Sequence, residues 1–161
     1  MNLFLSHATR DVTLVDDVRT RMQAIGVSVY AAEHDGRAGE NVHAKIRTNI
    51  EACDVMAVLL TKSGYSSIYV HEEIGYAIGA GKIVIPLATK RAVHAGLGML
   101  EGIEYITIDE DDPSNGLHQL GARVEQLAQL ERQRQRDELV NVALLLATVG
   151  IVILAMRESA P

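Results

Sequence analysis

Residues 55–60 read VMAVLL, six apolar side chains in succession with nothing polar between them. Such a run is too short for a helix that keeps one wet face. It is the pattern of a strand buried on both sides, as in a parallel sheet covered by helices above and below. The segments around it agree. Residues 2–6 (NLFLS), 27–30 (VSVY), 83–87 (IVIPL) and 105–108 (YITI) are four further short apolar runs.

Between the runs the spacing changes. Val12, Leu14, Val15, Val18, Met22 and Ile25 recur mostly every three or four residues, which predicts a helix closed by Gly26. Asn41 is a candidate cap for a second helix carrying Val42, Ile46 and Ile50. Residues 31–40 and 62–67 read as loops, and residues 68–79 as a helix with Val70, Ile74 and Ile78 on its buried stripe. Strands alternating with helices specify a parallel sheet with helices on both faces. In such sheets ligands bind beyond the carboxyl ends of the strands. The search for chemistry therefore narrows to the segments after residues 6, 30, 60 and 87.

Composition removes several classes. A net charge of −6 and a pI near 5.5 argue against a nucleic-acid binder, which needs a basic footprint. One cysteine excludes a disulfide framework and a cysteine-based zinc site. The six histidines form no ligand pair, so no metal is expected, and Cys53 reads as a small core residue. The glycine patterns around Gly36, Gly79 and Gly98 miss the spacing of phosphate-binding loops.

The chain is 48% apolar with only 4% aromatic residues, and much of that content is one segment. Residues 139–156 (LVNVALLLATVGIVILAM) carry no charge, and as a helix they reach about 27 Å, enough for a bilayer core. A helix apolar on every side needs protein all round it or lipid, and five residues follow it. Arg132, Arg134 and Arg136 precede the run, whereas Arg157 alone follows it. The positive-inside rule then expects a single-pass anchor with residues 1–138 in the cytoplasm, at the inner membrane and against membrane lipid.

Within residues 68–79 (IYVHEEIGYAIG), Tyr69 and Glu73 lie four apart and so within reach of each other. An aromatic ring and a carboxylate past a strand end can hold a sugar and stabilise a developing cation. The competing reading is that Glu72 and Glu73 complement the helix dipole.

Four segments in order resemble the TIR (Toll/interleukin-1 receptor) domain family. LFLSHATRD resembles its first box, with Ser6, His7 and Asp11; VSVYAAEHDGRAGENVHAKIRTNIEACD resembles its second box and BB loop, with Gly39-Glu40. LLTKSGYSSIYVHEEIGYA resembles the pattern S-x-W-x-x-x-E-I-x-x-A, matched by Ser67, Glu73, Ile74 and Ala77, and GKIVIPL the strand that follows. The motif's Trp is Tyr69 here, and the Asp often found after the second strand is Ala32.

The resemblance implies a flavodoxin-like α/β fold with a five-stranded parallel sheet. The expected organisation is a TIR domain over residues 1–116, a connecting helix over 117–138, a transmembrane helix over 139–156 and a short tail over 157–161. It also implies cleavage of the nicotinamide–ribose bond of NAD+, as a substrate and with no cofactor, by Glu73. Ser6, His7, Tyr30, Ser67 and Tyr69 would bind substrate, with Asp35, Arg37 and Gly39 acting from the BB loop. Self-association through TIR domains and a role in anti-phage defence are further implications. A non-catalytic adaptor assembling at the membrane is the main alternative, and a nucleoside deoxyribosyltransferase-like enzyme a third.

Overall fold

The structure is a computed structural model that describes residues 1–31 and 41–158, with side chains placed through residue 147. It divides into two compact units, Met1–Val124 and Glu125–Pro161. The first unit contains β1 (Asn2–Ser6), α1 (Val12–Ala24), β2 (Ser28–Ala31), α2 (Val42–Ala52), β3 (Val55–Leu60), α3 (Lys62–Tyr65), α4 (Ile68–Gly79), β4 (Ile83–Ala88), α5 (Lys90–Ala95) and β5 (Ile106–Thr107). The helix α6 (Ser114–Glu158) begins in this unit.

All strand pairs are parallel and the order is β2-β1-β3-β4-β5, the flavodoxin-like arrangement. The six residues of β3 occupy the middle and are all buried, as their uninterrupted apolar run requires. β1 pairs with β2 on one side and β3 on the other, so the direction in which successive strands are added to the sheet reverses between β1 and β3. In sheets of this order ligands bind at the switch point, here beyond Ser6 and Leu60. The core on the α2–α4 side joins Phe4, Ile46, Ile50, Met56, Val70, Ile74 and Ala77.

Polar side chains fix the loops at this edge. The Asp11 carboxylate accepts from the Ala8 amide at 3.2 Å and from the Thr61 hydroxyl at 2.9 Å. The Thr61 oxygen in turn accepts from the amides of Ser63 and Gly64, capping α3. Gly64 is required here, because a Cβ at this position would lie 1.9 Å from the Leu59 carbonyl oxygen. Ser67 caps α4 by accepting from the Val70 amide, and Asn41 caps α2 by accepting from the Ala44 amide.

Two local expectations change and one further element is found. Residues 62–67, expected as loop, contain the single turn α3, which the Thr61 cap stabilises. A short helix, α5, follows β4 and is capped by Thr89, whose side chain accepts from the Ala92 amide. On α4 it is Ala77 that is buried with Val70 and Ile74, while Ile78 is exposed.

The second unit is helical through Glu158. Leu139, Val140, Val142, Leu144, Leu145 and Leu146 are each at least 56% exposed. Among the described residues no helix is long and apolar enough to cross a membrane. The expected span over residues 139–156 runs past the last described side chain at 147, so nothing is described of the side chains in its second half.

Candidate active site

Glu73 is set by α4 in its second turn, facing the core edge rather than solvent. Its side chain is 4% exposed. The Ser6 hydroxyl, at the carboxyl end of β1, donates to Glu73 Oε2 at 2.5 Å. Burial pushes the Glu73 carboxyl up to about 7; the Ser6 hydrogen bond pulls it down, and the negative charge of Glu72 adds to the rise. Glu72 is exposed, and neither glutamate lies in the first turn of α4, so complementing the helix dipole does not explain them.

Glu73 lies in the lining of a cleft of about 850 Å³ between α2 and α4. That volume is within the range of small-molecule sites. From α4 the cleft takes Tyr69, Glu72, Glu73 and Tyr76; from α2 it takes Arg47 and Glu51 among others. The Tyr69 ring is 46% exposed and its centroid is 6.4 Å from that of His43. The Tyr76 hydroxyl donates to Glu51, and the resulting hydrogen bond to a carboxylate raises the phenol above its ordinary range.

The residues expected at the site separate into three sets. Glu73 and Tyr69 line the cleft, and Ser6, fully buried, reaches it through Glu73. His7, Tyr30 and Ser67 are not among the lining residues. His7 is buried with Nδ1 3.0 Å from the Ala8 carbonyl oxygen. Tyr30 stacks at a tilt on Phe4, with centroids 5.6 Å apart, and Ser67 is the α4 cap. Asp35, Arg37 and Gly39 lie outside the described residues, as does Ala32. His43, Arg47, Glu51 and Tyr76 were not anticipated. For the three on α2 the signal was present as the fourfold spacing 43–47–51, but a polar row on a helix reads first as a solvated face. Among the described residues no cluster of His, Cys, Asp and Glu can hold a metal ion.

The 2-1-3-4-5 parallel sheet, with a buried carboxylate at its switch point, defines a flavodoxin-like α/β domain with a polar cleft between α2 and α4. The sequence profile of the TIR domain matches residues 3–121, and the chain belongs to the TIR domain family. No functionally curated protein matches it. Among solved structures it is similar to the CMP N-glycosidase BcmB of Clostridium botulinum, with TM-score 0.58 and 20% identity over 74% of this chain and 98% of that one. It is also similar to the TIR domains of the activated Roq1 resistosome that directly recognises the pathogen effector XopQ. There the TM-score is 0.59 and the identity 13%, over 76% of this chain and 98% of the other. At these identities the likeness is one of fold.

Proposed function

We propose that this chain is a membrane-anchored NAD+ glycohydrolase or ADP-ribosyl cyclase that acts in anti-phage defence signalling. The observation that carries the proposal is the buried Glu73 carboxylate, held by Ser6, in a cleft of nucleotide size.

The chemistry suits a single carboxylate. When the C1′–N bond of NAD+ breaks, its electron pair goes to the ring nitrogen and neutralises the pyridinium. Nicotinamide therefore leaves without needing a proton. The positive charge passes to the ribose as an oxocarbenium-like centre. Glu73, accepting hydrogen bonds from ribose hydroxyls, places negative charge beside that centre in a poorly solvated position. With its carboxyl poised near 7, Glu73 can also take the proton of an attacking water, which gives ADP-ribose. Attack by a nucleophile within the same molecule gives a cyclic product instead. The exposed Tyr69 ring offers a flat surface for the base or sugar.

The likeness of fold to a CMP N-glycosidase supports cleavage of an N-glycosidic bond as the reaction class. The uncharged run over residues 139–156, and the exposure of its described apolar residues, support a single-pass anchor against membrane lipid. The arginines before the run support a cytoplasmic domain at the inner membrane. Confinement to a membrane raises effective concentration, which suits a domain working through TIR–TIR association.

The test is incubation of the full chain in liposomes with NAD+, and separately with CMP, with products resolved by mass. Release of nicotinamide by the wild type and its loss in Glu73→Ala are expected. Equal NAD+ consumption by both would remove Glu73 from the mechanism. No consumption by clustered protein would favour the adaptor, and cleavage of CMP alone would move the substrate to a nucleotide with a neutral base.

A further inference from the structure

The α2 wall of the cleft has no part in the mechanism above. His43, Arg47 and Glu51 recur every four residues, so they form one row along α2. Both ends of the row face α4. His43 Nδ1 is 4.0 Å from Glu72 Oε2, and Glu51 accepts the Tyr76 hydroxyl. Arg47 lies between them, its guanidinium carbon 5.4 Å from the centroid of the Tyr76 ring. Among the described residues no carboxylate forms an ion pair with it.

This arrangement prepares Arg47 for an oxyanion. A guanidinium resting on an aromatic face is oriented by the ring but keeps its N–H edge for a second partner. Tyr76 is itself anchored through Glu51, so the ring that orients Arg47 is held from below. The acidic neighbour one turn further along α2, Glu51, already accepts the Tyr76 hydroxyl. Arg47 thus supplies a permanent positive charge to a cleft whose α4 side holds the carboxylate proposed to bind the ribose.

We propose that Arg47 recognises the 5′-phosphate of the substrate and so restricts the site to nucleotides over nucleosides. The proposal rests on the reading that Glu73 binds the ribose. A 5′-phosphate hangs from the same sugar, at the end away from the bond that breaks. A planar fork of N–H donors fits a phosphate with two parallel hydrogen bonds, whereas an uncharged riboside offers nothing in its place.

The test uses the full chain carrying Glu73→Gln, so that binding is read without turnover. Calorimetric titration compares nicotinamide mononucleotide with nicotinamide riboside, which differ only by the phosphate. The mononucleotide is expected to bind about tenfold tighter or more. Arg47→Ala in the same background should remove that preference and leave riboside affinity unchanged, and Arg47→Lys should restore part of it. Equal affinity for the two ligands, no binding of either, or a preference that survives Arg47→Ala would each overturn the proposal. Preferential binding with no NAD+ cleavage by the Arg47- and Glu73-intact chain would instead sink the hydrolysis reading and leave the phosphate site standing.

Discussion

The Ser6 hydroxyl donates to Glu73 Oε2 at 2.5 Å across 67 residues of sequence. The contact joins the end of the first strand to the middle of α4. It sets the charge of the carboxylate as well as its position, because a donor to the ionised form opposes the upward push of burial.

Ser6→Ala should therefore raise the Glu73 pKa further above 7. If the ionised carboxylate is the active form, the acid limb of the kcat/KM profile for NAD+ should move up by about one pH unit. An unmoved limb with a reduced plateau would mean that Ser6 acts on substrate instead.

Glu73 also costs stability once it ionises. Its carboxyl rises from 4.5 to about 7 on folding, so the native state holds a proton that the unfolded state has released between those values. Native stability should fall as pH rises through that window and level off above it. Glu73→Gln should accordingly stabilise the domain by roughly 1–3 kcal/mol at pH 8, with the gain vanishing near pH 4. Thermal melts of both proteins at the two pH values check this.

Gly64→Ala should be severely destabilising. Its Cβ would meet the Leu59 carbonyl oxygen at 1.9 Å, so the turn after β3 must move and release the Thr61 and Asp11 hydrogen bonds. A loss of roughly 3 kcal/mol or more in chemical denaturation is expected.

Removal of residues 139–161 should shift the protein from the carbonate-resistant membrane fraction to the supernatant. NAD+ cleavage by the shortened chain should become steeply dependent on protein concentration, since association is then no longer confined to a surface. Retention in the membrane fraction would contradict the anchor.

Much of the fold could be read from the residues. The six-residue apolar run forced a central strand, and the fourfold spacing of Val42, Ile46 and Ile50 matched α2. The failures have local causes. Ile78 continues the fourfold spacing of Val70 and Ile74, whereas a helix of 3.6 residues per turn brings Ala77 under the same stripe. The turn α3 contains Ser and Gly, residues that normally argue for loop, and depends on a cap that lies outside it. In the site, Glu73 carried a motif and was visible; Tyr76 and Arg47 did not, because their pairing is a contact between two helices with no trace in either helix alone.

The order of strands has one more consequence. Because β1 lies between β2 and β3, Ser6 holds its position only when the first and third strands pair in register, Ser6 opposite Val58. The acid limb of the pH profile is therefore a gauge of assembly. A population with a misregistered first strand would keep its helices and still titrate as if Ser6 were missing.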